Sequence, residues 1–120
     1  MLNTHKSKIF ALWLLLVPAL VLADYARTSY EQTASGVVSA GPCLLTGVAV
    51  MTGGLKFPDV TVILYDNASA ASGNVLAEFV VAGVDNLGGR DYKDPVHCIN
   101  GIYVSLSGAG GSYIVEYKPM

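Results

Sequence analysis

Few side chains in this sequence are of the types that carry out reactions. His97 is the only histidine beyond residue 23, and Asp94 and one of many serines could complete a Ser-His-Asp arrangement with it. Such an arrangement also needs a nucleophile on a sharp turn, and no motif of that kind occurs. Asp94 is also too close in sequence to orient the imidazole ring. We therefore interpret His97 as a strand residue with a polar tip and predict no catalytic residue.

Ligands for a metal ion are also sparse. Zinc sites usually take four ligands, whereas Cys43, Cys98 and His97 supply three, and the adjacent His97 and Cys98 point to opposite faces of a strand. The acids of residues 83–95 offer oxygen ligands for calcium. Their spacing matches no EF-hand loop, however, and two basic residues lie among them. We predict no metal and no cofactor.

The elements around these residues read as strands. Ile102, Val104 and Leu106 alternate with polar or amphipathic residues, which is typical of a strand with one dry face and one wet face. The glycine-rich run 108–111 indicates a tight turn, and residues 112–118 indicate a return strand. This pattern predicts a hairpin at the C-terminus.

Three further segments have strand composition, and the rest of the chain reads as turns and loops. Residues 83–95 form the longest predicted loop, and residues 96–106 are interpreted as one strand or as two divided at Asn100-Gly101. Five to seven strands without a helix after residue 23 predict an all-β antiparallel sandwich or small barrel. The three firm strands are Cys43–Met51, Val60–Tyr65 and Val75–Val81.

The N-terminus has the three parts of a secretory signal. Basic residues precede an uncharged apolar run over residues 9–23, and Ala23 suits the cleavage site. The run has 15 residues, fewer than the ~20 needed to span a bilayer as a helix. We predict a signal-type helix at 1–23, with an uncleaved anchor as the alternative. Residues 24–42 are then a flexible arm or edge strand, and residues 43–120 form the sandwich.

An even number of cysteines in an exported chain favours a disulfide. A bond between Cys43 and Cys98 would close a loop of about 55 residues, which the chain-entropy model values at roughly 4 kcal/mol. The alternative is a pair of buried free thiols. Residues 24–120 carry five basic and nine acidic side chains, a net charge of −4. This balance argues against binding to nucleic acid.

The seven tyrosines are the residues best suited to an interface. Those outside the firm strands, together with one loop arginine, are our candidates: Tyr25, Tyr30, Tyr92 and Arg90. The tyrosines of the strands could stack on sugars, anchor a subunit or pack in an ordinary way.

From Val60 onward the chain contains a series of short motifs in a distinctive order. A strand ends in Tyr65-Asp66, and Gly88-Gly89-Arg90 follows a Ser/Gly loop and a second strand. Then come Pro95-Val96 with Cys98, Gly101-Ile102-Tyr103, and the closing run 112–117. This order, over about residues 46–118, resembles small proteins of tailed phages and prophages.

The resemblance implies a compact antiparallel sandwich of jelly-roll type that serves as a virion-associated or decoration protein. Its expected partners are further copies of the chain or a capsid or tail lattice, and it offers no catalytic residues to carry over. The signal-like N-terminus at 1–23 departs from this pattern. It favours export to the periplasm or outside the cell, with a membrane contact only if it stays uncleaved. A binding module for a carbohydrate or protein ligand is therefore the alternative function.

Overall fold

The computed structural model of the chain describes residues 26–120. The predicted signal-type helix at 1–23 and Tyr25 lie outside these residues. Within them the chain forms eight strands and a single turn of 3-10 helix at Gly83–Asp85. The strands are β1 (Arg27–Thr28), β2 (Gly36–Ser39), β3 (Cys43–Met51), β4 (Val60–Tyr65), β5 (Val75–Val81), β6 (Leu87–Cys98), β7 (Ile102–Ser107) and β8 (Ser112–Pro119).

The strand pairing is that of a jelly roll. Strand β4 pairs with β5, β3 with β6, β2 with β7 and β1 with β8, so the chain makes one long antiparallel ribbon. Rolling the ribbon up adds the pairs β3–β8 and β4–β7. Two four-stranded sheets result: sheet A, in the order β1-β8-β3-β6, and sheet B, in the order β2-β7-β4-β5. The predicted all-β, jelly-roll-like sandwich is confirmed.

The core lies between the two sheets because the inner strands of each sheet alternate buried and partly exposed residues. In β4 the residues Val60, Val62 and Leu64 are fully buried, whereas the residues between them are half-buried on the outer face. Burying one such aliphatic side chain contributes about 1.5–3 kcal/mol. The other strands supply the rest of the core: Cys43, Leu45, Val48, Val50, Val81, Cys98, Ile102, Val104, Tyr113 and Val115.

The predicted C-terminal hairpin was wrong. Strands β7 and β8 have the predicted positions, but β7 pairs with β2 and β4 in sheet B and β8 pairs with β1 and β3 in sheet A. The turn between them therefore crosses from one sheet to the other. Gly108 in this turn has φ +109, and a Cβ there would lie 2.4 Å from the Asp59 carbonyl oxygen. Placing the strands in opposite sheets lets their apolar faces cover each other.

The predicted loop at 83–95 was also wrong, because most of it belongs to the long edge strand β6. The strand bonds to β3 on one side only, so it needs no continuous apolar pattern. Between the pairs Leu45↔Val96 and Gly47↔Asp91, the single residue Thr46 faces four residues, 92–95. This bulge holds Lys93 and Asp94 away from regular pairing, whereas Arg90 and Asp91 pair with β3. Residues 96–106 contribute to two strands, β6 and β7, in different sheets.

Residues 26–42 cross from the edge of sheet A to the edge of sheet B, which raises the strand number to eight. Hydroxyl groups secure this crossing. Ser29 Oγ accepts a hydrogen bond from the Val115 N–H, and Ser35 Oγ accepts one from the Leu106 N–H, each at 2.8 Å. The buried Tyr113 donates its hydroxyl to the carbonyl oxygen of Ala34 at 2.9 Å. The segment therefore closes one side of the sandwich.

Candidate functional site

The residues considered for catalysis are dispersed over the surface. His97 is exposed on β6 opposite Leu44, and Asp94 is exposed in the β6 bulge. Within residues 26–120 no group of three or more His, Cys, Asp or Glu side chains is placed to hold a metal ion. The same part of the chain contains no helix that is long and apolar enough to cross a membrane.

Cys43 and Cys98 lie directly opposite each other on β3 and β6, and both are fully buried free thiols. Burial, with a further contribution from Cys43, raises the pKa of the Cys98 thiol to about 12. It therefore stays protonated at neutral pH and is a poor nucleophile. Opposite residues of antiparallel strands have Cα atoms ~4.5–5.5 Å apart, within the range of a disulfide. The bond is not formed in the structure, and it stays a prediction.

The three predicted interface residues that lie within residues 26–120 do not form one patch. Tyr30 follows β1, has φ +57 and is 76 % exposed. Arg90 and Tyr92 lie on β6, with the guanidinium carbon 5.2 Å from the ring centroid. Burial raises the pKa of the half-buried Tyr92, and the charge of Arg90 opposes that rise. Because β1 and β6 are opposite edges of sheet A, Tyr30 is separated from the other two.

Two carboxylates approach each other on the outer face of sheet A. Asp91 and Glu116 flank Gly47, and their nearest oxygens lie 3.0 and 3.3 Å from where a Gly47 Cβ would be. A longer residue at 47 would displace one of them. Both acids are exposed on an open sheet face. The face does not enclose a substrate or exclude water, as general acid–base catalysis at a tuned pKa requires.

The outer face of sheet B carries a row of apolar and aromatic side chains, which we call the valine–tyrosine row. It consists of Val37 on β2, Tyr103 on β7, Tyr65 on β4 and Val75 on β5, each opposite the next across neighbouring strands. Val37 is 48 % and Val75 is 54 % exposed, and the tyrosines between them are half-buried. With strands about 4.8 Å apart, the row is roughly 14 Å long.

Polar and aliphatic side chains continue this face beyond the row. The next residues on the same face are Ser105, Ile63 and Glu78, followed by Ser107, Thr61 and Val80. Three hydroxyl groups and one carboxylate thus share the face with two aromatic rings. Such a surface can bury apolar groups of a ligand and donate or accept hydrogen bonds at its border.

The sequence predictions did not include this row, although the period-two pattern contained part of the signal. Tyr65 is out of phase with the buried residues of β4, and Tyr103 is out of phase with Ile102 and Val104. Each tyrosine could therefore be assigned to an outer face. That β4 and β7 are neighbours could not be derived, because the residues between them include two other strands.

Comparisons of the chain with protein-family models, with curated proteins and with solved structures find no match.

Proposed function

We propose that this protein is a non-enzymatic structural β-domain that acts through protein–protein assembly, as a virion-associated or decoration protein of phage type. The valine–tyrosine row is the observation that carries the proposal. An apolar row that spans four strands and ends in two half-exposed valines is the kind of surface that a partner protein covers. Tyrosine is also enriched in the buried centres of interfaces.

A repeated lattice suits a surface of this size. A row about 14 Å long supports only a small contact, since stable interfaces usually bury about 1,600 Å² in total. In a capsid or tail, however, many copies bind side by side, and linked contacts reinforce one another. The sequence motifs support the same role, because they resemble those of phage and prophage proteins.

The test is co-purification with particles from a host that expresses the gene. We expect the chain to sediment with gradient-purified phage particles and to be identified in them by mass spectrometry. Val37→Glu places a charge at one end of the row and should raise the Kd for the particles at least tenfold, which corresponds to about 1.4 kcal/mol of binding free energy. Val84→Glu is the matched control, since Val84 is 64 % exposed and lies outside the row. A chain that stays out of the particles contradicts the proposal.

The second candidate is an exported binding module for carbohydrate. It is favoured by the direct pairing of Tyr65 with Tyr103, on the same face as the hydroxyl groups of Ser105 and Ser107. The C–H groups of a sugar ring can stack on the negative face of an aromatic ring, while hydroxyl groups bind the sugar's own hydroxyls. Under this proposal the segment 1–23 exports the chain.

A glycan array separates the two candidates. A carbohydrate module should bind at least one glycan class, and binding should be lost on Tyr103→Ala but largely kept on Tyr103→Phe, because the ring is retained. Absence of glycan binding by the wild-type chain would remove this candidate. Mass spectrometry of the natural protein should find an N-terminus at Asp24 if the segment 1–23 is cleaved.

A further inference from the structure

Strand β5 is an edge strand of sheet B, and it is the longest edge of the sandwich without strong protection against pairing. It bonds to β4 on one side, so the N–H and C=O groups of its other side face outward. Its only charged residue is Glu78, and Val75 and Val80 are 54 % and 64 % exposed on its outer face. Its one irregularity is the extra residue Leu76, which leaves 77–81 regular.

The other three edges are blocked by known means. Strand β1 has two residues, and β2 has four with a bulge between Val37 and Ser39. Strand β6 is long, but it contains four charged residues, Pro95 and the bulge at 92–95. Short length, charge, proline and bulges all prevent a further strand from pairing. Among the strands formed by residues 26–120, β5 is therefore the edge on which an added strand can bind.

We propose that β5 pairs antiparallel with β5 of a second copy of the chain, so that two copies of sheet B form one eight-stranded sheet. The inference deepens the assembly function proposed above by naming another copy as the partner. An antiparallel strand pairs with itself about a twofold axis, so the same residues complete both halves of the contact. Exposed main-chain groups specify that the occupant is a strand.

The charge of Glu78 selects the register of this pair. A twofold axis at Glu78 would place two carboxylates directly opposite each other, which is destabilising. An axis at Phe79 instead places Glu78 opposite Val80 of the partner strand and uses the regular stretch 77–81. Glu78 and Val80 both lie on the outer face of sheet B, so this register joins the outer faces of the two copies into one surface.

The pairing leaves both valine–tyrosine rows free. Val75 lies four residues from Phe79, so the rows of the two copies are roughly 26 Å apart along the strand direction, at about 3.3 Å per residue. The dimer thus presents two equivalent rows on one continuous sheet. Two linked contacts can bind a repeated lattice more tightly than either one alone.

Sedimentation of the full chain in reducing buffer tests the proposal. Five residue pairs make a contact below standard size, so we expect a reversible dimer with a Kd on the order of 1–100 µM. Hydrogen exchange of amides 77–81 should slow as protein concentration rises. A chain that stays monomeric at about 500 µM overturns the proposal.

Substitutions at residue 80 test the register. Val80→Glu should raise the Kd at least tenfold by repelling Glu78 of the partner, whereas Val80→Lys should keep it within about threefold by attracting that carboxylate. Adding Glu78→Lys to Val80→Glu should restore the dimer. Equal effects of Val80→Glu and Val80→Lys, or dissociation by Val37→Glu on the opposite edge, contradict the proposal. Thermal unfolding by circular dichroism confirms that each variant is folded.

Particle binding distinguishes this inference from the assembly function itself. A monomeric wild-type chain that still sediments with phage particles refutes β5 pairing and leaves the assembly function standing. A dimer that depends on residue 80 but never binds particles supports the pairing and contradicts the virion role.

Discussion

Replacing the buried carboxylate of Asp66 should destabilise the protein more than replacing an exposed carboxylate of a loop. Asp66 directly follows β4, is 8 % exposed and accepts three main-chain hydrogen bonds from the β6–β7 turn. Its Oδ1 accepts from the N–H groups of Asn100 at 2.8 Å and Gly101 at 3.4 Å, and its Oδ2 accepts from Ile99 at 3.2 Å. One carboxylate thus fixes the turn by which the chain passes from sheet A to sheet B.

The expected magnitude follows from these bonds. A hydrogen bond to a charged group contributes about 1.5–3 kcal/mol, and buried donors left without a partner add their desolvation cost. Counting the two shorter bonds at the lower value and neglecting the longest, Asp66→Ala should lower the free energy of unfolding by about 3–4 kcal/mol. Asp66→Asn retains the oxygen that serves Asn100 and Gly101, so we expect a loss of about 1–2 kcal/mol.

Urea unfolding followed by far-UV circular dichroism, with reductant present, measures these losses. The control is Asp85→Asn, which removes an exposed carboxylate from the β5–β6 connection and should change stability by less than about 0.5 kcal/mol. If Asp66→Ala costs less than about 1 kcal/mol, or if Asp66→Asn is as damaging as Asp66→Ala, the carboxylate does not act as we infer.

Three further predictions concern the crossing segment, the β6 edge and the cysteine pair. Tyr113→Phe removes the hydroxyl that bonds Ala34, so stability should fall by about 1 kcal/mol and amides 29–36 should exchange faster with deuterium. Gly89→Ala should lower the free energy of unfolding in urea by more than about 2 kcal/mol, because Gly89 has φ +127 and a Cβ there would lie 2.1 Å from a carbonyl oxygen of β3. Gly36→Ala is the control and should change stability little, because the space around Gly36 is open. Burial raises the pKa of Cys98 from an ordinary 9.0 to about 12. Because the folded protein binds the thiol proton more tightly than the unfolded chain, the reduced protein should be fully stable below pH 9 and lose stability as the pH rises toward 12. Oxidation to the predicted disulfide removes the titrating thiol, so the oxidised protein should not show this loss of stability. Urea unfolding with and without reductant at each pH measures the free energy of unfolding of both forms.

The strands with a strong local pattern were predicted well. Cys43–Met51, Val60–Tyr65 and Val75–Val81 have the bounds that their apolar and β-branched composition indicated. Strand β6 was missed because it pairs with a single neighbour and is mostly exposed, so its sequence carries charge and glycine rather than alternation. That segment is a strand because its main chain hydrogen-bonds to β3, and such pairing leaves no pattern in the local sequence.

The residues predicted for an interface differ from those of the candidate surface. Tyr30 lies beside β1 and Tyr92 on β6, at opposite edges of sheet A, whereas the valine–tyrosine row uses Tyr65 and Tyr103 on sheet B. The face of the strand on which each tyrosine lies follows from the local period-two pattern, so it can be predicted from the sequence. The pairing of β4 with β7 joins residues about 40 positions apart, and the intervening chain contributes strands to both sheets.

The amino-acid sequence by itself determined the positions of the strands that have one strongly apolar face, and hence that the fold is all-β with a core enclosed by those faces. Period-two alternation extends over only a few residues, so it can be recognised without knowledge of the rest of the chain. Only the tertiary structure decided that β7 and β8 lie in opposite sheets, that Asp66 holds a distant turn, and which edge stays open. Those outcomes depend on which apolar faces cover one another, and that choice is made by the packing of the whole chain.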